Sequence, residues 1–541
     1  MIAESGQFPS HGLGRGRRTT IGVAARPVRR ADPSPSSLSE SATSTGEFTN
    51  LLISAFGCLV VTMLFLLSSE EFTHWFVIPV YLCGTLIGRD AVRWARRGCT
   101  LLDPYGLIGL IGVHFFFLAP LLHVKTGYFL WYVDPPDDWR PWLGKMAWIN
   151  LAAIIGYLLG RRVLELFQVR RRSVVIEWRP NPQRLTLFLA SFMALSIVLQ
   201  GFVYYRFGGI SGYVATYSNI SQGASFEGFG WIFMLSEPFP ILAVFAYALW
   251  TQRTGRGRGW AMIAFVLVSF LIARLLFGGL RGSRANIVWP LFWTIGIIHL
   301  WVRPISRKLV LGGLVFLVLF MYSYSFYKFY GTSALDVASG NVVPEGSQRD
   351  LATIVLGDLG RSDIQAYLLY RMSPESEGDY RYSLGRTYVA SSTIVVPKRL
   401  WPGRPDSKGK EGTQALYGMT AWNSSHFQAS NAYGLAGEAM LNFGPWSVPI
   451  AYAVFGFLLS LLARWMSSIR SNDLRTLLVP FVASLCFYLL VWDSDVTFFY
   501  IITSGLLPAF LVYVASERIV VPKPDSLTLP SPRDATRARV G

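Results

Sequence analysis

Leu51-Leu-Ile-Ser-Ala-Phe-Gly-Cys-Leu-Val-Val-Thr-Met-Leu-Phe-Leu-Leu67 contains no charged side chain. A helix rises about 1.5 Å per residue, so roughly 17 to 25 apolar residues cross a bilayer's hydrocarbon layer. Comparable runs recur as far as residue 515. Twelve spans are expected, at 51–67, 72–88, 104–124, 141–160, 185–205, 229–250, 260–277, 286–302, 308–326, 443–463, 474–492 and 496–515. Composition agrees, with 52% hydrophobic and 15% charged residues, against about 25% charged in ordinary globular domains. Mean hydropathy is +0.38. The 541 residues therefore form neither a soluble enzyme with one buried core nor a single-anchor receptor.

The net charge of +17 suggests nucleic-acid binding until the charges are placed. They cluster beside the spans and in the tails, which fits topology signals next to anionic lipid and excludes a nucleic-acid partner. Alternate loops carry Arg89, Arg93, Arg96 and Arg97; Arg161, Arg162, Arg170, Arg171 and Arg172; Arg253, Arg256 and Arg258; Arg303, Arg307 and Lys308; and Arg464, Arg470 and Arg475. The opposite loops are poor in basic residues, as in Ser68-Ser-Glu-Glu71 and Trp492-Asp-Ser-Asp495. By the positive-inside rule both termini are cytoplasmic.

Residues 1–46 read as a disordered basic cytoplasmic tail and 516–541 as a second one, both rich in Pro, Ser and Arg. Between them lie helices one to nine (47–326), an extracytoplasmic loop domain (327–442) and helices ten to twelve (443–515). The fold class expected is all-α. Cys58, Cys83, Cys99 and Cys486 show no CxxC spacing, so neither a disulfide framework nor a zinc site is expected.

Two features on the expected outer side break the pattern. The first is Gly278-Gly-Leu-Arg281-Gly-Ser283-Arg284, where two guanidiniums run against the positive-inside preference. Their planar forks suit phosphate oxygens, and flanking glycines let backbone N–H groups approach an anion. The competing reading is a pair of arginines snorkelling to lipid headgroups.

The second is the long loop. It carries Asp358-Leu-Gly-Arg361-Ser-Asp363, Tyr382-Ser-Leu-Gly-Arg386 and Val395-Val-Pro-Lys398-Arg399-Leu-Trp401-Pro-Gly-Arg404-Pro405. Trp401 can stack on a sugar face. Arg361, Lys398, Arg399 and Arg404 can bind phosphate or form ordinary surface ion pairs. His426 is the loop's one histidine, a proton shuttle or a structural residue.

Glu438 stands among Gly, Ala and Leu in Gly434-Leu-Ala-Gly-Glu438-Ala-Met-Leu-Asn442. Partial desolvation would raise its pKa and suit it to general-base work; the alternative is a helix-end carboxylate paired with an arginine. Asp493 and Asp495 face the same side as metal ligands, arginine partners or simple solvated topology residues. No nucleotide loop, dinucleotide fingerprint, HExxH or GxSxG is present. Any chemistry must use a substrate that is already activated.

The order of these pieces resembles the Wzy-type O-antigen and oligosaccharide repeat-unit polymerases. The matching pieces are Leu280-Arg-Gly-Ser-Arg284, Val396-Pro-Lys-Arg-Leu-Trp-Pro-Gly-Arg-Pro405 and Gly437-Glu-Ala-Met-Leu-Asn-Phe-Gly444, within a likeness covering about residues 50 to 515. The resemblance implies a GT-C-like, inverting, metal-independent glycosyltransferase of the bacterial inner membrane that needs no cofactor. It implies undecaprenyl-diphosphate-linked oligosaccharide as substrate, and a chain-length regulator and a flippase as partners. Arg281, Arg284 and Arg399 would bind the pyrophosphate, with Ser283 beside them. The usual Gly-Ser-Arg-Gly order appears here as Arg-Gly-Ser-Arg. The base assignment to Glu438, with Arg284 and His426 as the other catalytic candidates, comes from their chemistry and position. An O-antigen ligase, a lipid-linked oligosaccharide transporter with Glu237 and Arg274 in its spans, and a non-catalytic scaffold remain as alternatives.

Overall fold

The computed structural model describes residues 44–130, 133–166, 174–218, 230–281, 285–330, 352–376, 380–396, 399–406, 408–418, 431–470 and 473–522. Apolar runs become helices because lipid cannot satisfy backbone N–H and C=O groups, which a helix pairs internally. The elements in chain order are α1 (Ser44–Ser68), α2 (Val77–Ala95), α3 (Pro104–Thr126), α4 (Trp139–Leu166), β1 (Val174–Pro180), α5 (Pro182–Arg206), α6 (Gly209–Ser218), α7 (Trp231–Thr254), α8 (Trp260–Leu276), α9 (Ala285–Val302) and α10 (Arg307–Tyr330). There follow α11 (Ser362–Arg371), α12 (Arg386–Ser392), α13 (Lys408–Tyr417), α14 (Gly434–Phe443), α15 (Ser447–Ser468), α16 (Val479–Val491), α17 (Ser494–Val514) and β2 (Ser516–Pro522).

Eight of these helices are long and apolar enough to cross a membrane: α1, α3, α4, α5, α7, α9, α15 and α17. The chain is a polytopic membrane protein. Each of the other four expected spans overlaps a helix. α8 and α16 are apolar but shorter, α2 carries Arg89, Asp90 and Arg93 within its length, and α10 is helical throughout its expected stretch.

Among the described residues the most extensive helix pairing is α4 against α15, and small residues make it possible. A Cβ added at Gly156 would lie 2.5 Å from the carbonyl oxygen of Pro449, and one at Gly160 would overlap the carbonyl of Ala453. From the other side, Gly456 meets the carbonyl of Tyr157 in the same way. Small residues four apart let two backbones approach and gain dispersion contacts, a main source of helix association in lipid.

The segment expected as a loop domain is not packed separately. Ile364, Leu368, Leu416, Tyr433 and Leu441 are buried in one cluster with Phe115, Leu121, Tyr157, Val448 and Cys486 of the long helices. A second cluster gathers α5, α7, α8, α9, α16 and α17 around Phe245, Trp293 and Leu511. Trp289 and Trp492 pack against both.

One feature departs from the all-α expectation. β1 pairs antiparallel with β2 in a two-stranded sheet, with Val174 opposite Pro522 and Trp178 opposite Arg518. The first residues of the expected C-terminal tail are therefore a strand. Val174-Val-Ile176 and Ile519-Val-Val521 are β-branched runs, stiff in a helix and well fitted to a pleat. The ribbon is fastened at Trp178, whose ring lies 5.0 Å from the Arg518 guanidinium and 5.1 Å from that of Arg475. The Trp178 backbone N–H donates to Asp473 at 3.2 Å.

Candidate functional site: a buried carboxylate where four helices meet

The backbone around Ser383-Leu-Gly385 turns through two left-handed residues, Leu384 (φ 46°) and Gly385 (φ 85°), before α12 begins. This turn is laced to the end of α14. Ser383 N–H donates to the Leu441 carbonyl at 2.9 Å, Leu384 N–H to the Asn442 carbonyl at 3.1 Å, and Gly385 N–H to Asn442 Oδ1 at 2.9 Å. Glu438 and Asn442 are four residues apart and so share one face of α14. The lacing brings Thr387 of α12 onto that face.

Glu438 is the centre of the resulting network and is only 2% exposed. Thr387 Oγ1 donates to its Oε1 at 2.8 Å and itself accepts from Asn442 Nδ2 at 2.7 Å. Ser494 donates twice, from its backbone N–H to Oε2 and from its hydroxyl to Oε1, each at 2.6 Å. Ser494 is the first residue of α17, where backbone N–H groups lack intrahelical partners. Asp493, the residue in the capping position, makes no side-chain cap bond. Glu438 supplies the missing acceptor from another helix, next to the positive end of the α17 dipole.

Asp493 is occupied elsewhere. Its Oδ1 accepts the Tyr433 backbone N–H at 2.9 Å, and its Oδ2 forms an ion pair with Lys408. Lys408 reaches Asp495 as well, at 3.5 Å, with a side chain 2% exposed. Burial pulls the Lys408 ammonium down, but Asp493 and Asp495 outweigh it and hold the group above the ordinary lysine range. For Glu438, burial is the largest influence and the Asp493 charge adds to it. The bonds from Ser494 and Thr387 oppose both, leaving its acid range pushed up from 4.5 to about 7. Tyr388 beside it is raised by burial and by the Glu438 charge.

These features suit a proton acceptor. Ser494 is only half-buried, and its hydroxyl lies 2.7 Å from that of Ser391. A proton delivered to this pair of hydroxyls has a hydrogen-bonded route to Glu438.

The other residues expected to bind or react are distributed differently around this centre, and several serve the scaffold. Arg361 is 7% exposed and sits in the left-handed region (φ 72°) as the residue before α11. Its guanidinium donates to the Gly357 and Val491 carbonyls and lies 5.2 Å from the Trp492 ring, so it braces the α16–α17 turn from behind. Arg404 Nη1 donates to the carbonyls of Thr393, Ile394 and Val396 at 3.2, 3.4 and 2.7 Å, tying down the chain after α12. Arg399 and Trp401 are exposed. The backbone of Arg281 ends a short turn, Gly279–Arg281. Its side chain, with Ser283, Arg284, Lys398 and His426, lies outside the described residues.

Glu237 and Arg274 form a buried ion pair at 3.6 Å, with Arg274 also donating to the Glu237 and Phe277 carbonyls. Gly278 (φ 103°) passes so close that an added Cβ would lie 2.7 Å from the Glu237 carboxylate carbon. Among the described residues, no group of three or more His, Cys, Asp or Glu side chains is placed to hold a metal ion.

Lys408, Thr387 and Ser494 were not singled out by the sequence. Lys408 lies in Lys408-Gly-Lys-Glu411, which reads as a solvated surface stretch. The signals that point to the network are Glu438 itself, a carboxylate among Gly, Ala and Leu, and the outer turn carrying Asp493 and Asp495. No family model matches this chain, no curated protein matches it, and no solved structure matches it.

Proposed function

We propose that this protein is a membrane glycosyltransferase that polymerises undecaprenyl-diphosphate-linked oligosaccharide repeat units on the outer face of the bacterial cytoplasmic membrane. On this reading twelve helices cross the bilayer in a GT-C-like arrangement, both termini are cytoplasmic, and the product is a surface polysaccharide. The observation that carries the reading is Glu438, a carboxyl group outside the spans, 2% exposed and titrating near 7. The order of the three sequence motifs supports it.

The reaction joins a hydroxyl of the incoming repeat unit to the anomeric carbon of the growing glycan. The new C–O bond forms as the bond to the lipid diphosphate breaks. The hydroxyl proton passes by way of Ser494 to Glu438, and the diphosphate leaves with the bonding electron pair. A base near neutrality combines a useful deprotonated fraction with real proton affinity. Arg281, Arg284 and Arg399 are assigned to the departing diphosphate, where fixed positive charge stabilises developing negative charge. His426 is assigned to the catalytic group as a proton shuttle, Ser283, Lys398 and Trp401 are assigned to substrate contacts, and a chain-length regulator and flippase would act beside the enzyme.

The test is the size profile of surface glycan and lipid-linked saccharide in a strain lacking the protein. Loss of the long ladder, with single repeat units still made and attached, is the expected result. Long polymer retained on its lipid carrier would make the protein a ligase. One observation favours a transporter instead, the intramembrane Glu237–Arg274 pair, since ionisable residues within spans often mark a transport path. An unchanged glycan profile would move the assignment there.

A further inference from the structure

Glu438 is held by a turn, and that turn is held by a lysine. Trp492 and Asp493 connect α16 to α17, and the polar side chains from Asp493 to Asp495 are engaged. Ser494 grips Glu438. Asp493 accepts from the backbone of Tyr433, the residue just before α14, and so fixes the helix bearing Glu438. Lys408 arrives from α13 and pairs with both aspartates. A single ammonium group thus anchors the loop segment to the turn at the point where the base is bound.

We propose that Lys408 is the positioning residue for Glu438, and that with Asp493 it sets the pH at which Glu438 gives up its proton. The charged and titratable groups around Glu438 are few enough to work out signs. Asp493 and Asp495 come from the turn, Lys408 from α13 and Tyr388 from α12; Thr387 and Ser494 add neutral hydroxyls. Asp493 disfavours the Glu438 anion. Lys408 favours it directly and also compensates Asp493. Removing the lysine charge deletes a direct attraction for the Glu438 anion, and so long as Asp493 keeps its charge the proton is held to higher pH. Removing the Asp493 charge deletes the repulsion and leaves the lysine, so the proton is lost at lower pH. Two halves of one ion pair therefore act in opposite directions, whereas a merely structural pair would fail in the same way from either side.

This inference rests on the glycosyltransferase reading for its catalytic meaning, but its geometry does not. The first measurement is accordingly independent of activity. Infrared spectra of the purified full-length protein in lipid nanodiscs are recorded against pH, with the Glu438 carboxylic-acid band assigned by its loss in Glu438→Gln. Lys408→Met is expected to raise the midpoint by about one pH unit and Asp493→Asn to lower it by a similar amount, the size of shift one nearby charge produces. Lys408→Arg should keep the wild-type midpoint. Should Lys408→Met fail to fold, Lys408→Met/Asp493→Asn removes both charges together. Its midpoint should fall below that of the wild type, because Asp493 is the larger charge influence on Glu438. Midpoints unchanged in these variants would overturn the proposal.

The second measurement follows elongation against pH, using the lipid-linked saccharide fraction extracted from the deletion strain as substrate. Rate profiles that shift in the same two directions support the positioning role. A shifting infrared midpoint with no elongation by the wild type supports the charge couple and overturns only the polymerase reading. Elongation with a profile indifferent to both substitutions overturns the positioning role and leaves the polymerase reading standing.

Discussion

Ser494 gives both of its donors to one carboxylate, its backbone N–H and its hydroxyl each lying 2.6 Å from Glu438. Glu438 is thus both a buried part of the fold and a base, and because burial favours its neutral form while base catalysis needs the anion, stability and activity respond oppositely to pH. The folded group titrates near 7 and the unfolded one near 4.5. Between these values the folded protein holds a proton that the unfolded chain has released, so stability declines as pH rises through about 7. The decline is about 3 kcal/mol for a shift of this size. Activity should rise over the same interval, as the base loses its proton. Glu438→Gln keeps an acceptor for Ser494 and should fold, lack its share of the pH-dependent decline, and elongate at least roughly 100-fold more slowly. Thermal unfolding of both proteins across pH, with elongation assays in parallel, tests each half. A variant that polymerises at the wild-type rate would remove Glu438 from the chemistry.

The α4–α15 contact predicts a sharp contrast between glycines. Gly160 abuts the Ala453 carbonyl, whereas a Cβ at Gly201 in α5 would meet nothing within 4 Å. Gly160→Leu should lower the unfolding temperature strongly, since overpacking costs about 1–3 kcal/mol even where neighbours can adjust and here the neighbour is backbone. Gly201→Ala should leave it unchanged or slightly raised, because alanine restricts the unfolded chain. Unfolding of the two purified variants in the same detergent checks the contrast. Equal effects would mean that α4 and α15 are not packed this closely.

What could be read from the sequence follows from how many partners each feature needs. Leu51–Leu67 declares a membrane helix by itself, because lipid fixes its length and polarity. Glu438 could be picked out for a similar reason, as a carboxylate among small apolar residues. Lys408 could not, since its meaning depends on Asp493, distant in the chain, and its immediate neighbours are polar. The β1–β2 ribbon escaped for the same reason: Val174–Ile176 and Ile519–Val521 are each too short to identify a strand alone. Arg361 and Arg404 were assigned to phosphate because the guanidinium fork suits anions, yet the same five donors suit clustered backbone carbonyls, and carbonyls are what both residues found. The Gly278–Arg284 stretch stands out in the sequence for its arginines, while the structure adds the Glu237–Arg274 pair packed against Gly278.

Arg399 and Arg404 lie five positions apart in one motif, but their surroundings separate them. Arg404 donates to three backbone carbonyls, whereas Arg399 is exposed. Arg404→Ala strands those acceptors and should lower the unfolding temperature, with a lost bond of this kind costing about 1–3 kcal/mol. Arg404→Lys should recover only part of it, because an ammonium cannot span the carbonyls as a fork does. Arg399→Ala should leave unfolding unchanged and weaken use of the lipid-linked substrate, seen as a raised KM. If Arg399→Ala leaves the KM untouched, this arginine does not meet the diphosphate.

Glu237 and Arg274 decide between a transport path and a structural strut. Arg274 is 3% exposed and ties α8 to two neighbours, donating to the Asn286 carbonyl at 2.5 Å and to the Glu237 carbonyl at 3.0 Å. As a strut it should be the less replaceable partner. Arg274→Ala leaves a buried carboxylate and several carbonyls uncompensated, a loss of about 3–5 kcal/mol by comparison with other broken buried pairs, and should abolish stable insertion. Glu237→Gln retains a hydrogen-bonding group of the same shape and should fold, with polymer length near that of the wild type. A carboxylate that carries protons or substrate through the membrane would behave differently, because the amide cannot ionise and transport would stop in a protein that still folds. Glycan profiles from strains expressing Glu237→Gln at wild-type membrane levels separate the two. A full ladder assigns the pair to structure, whereas its loss from a normally inserted protein would make Glu237 part of a path and return the transporter reading to the front.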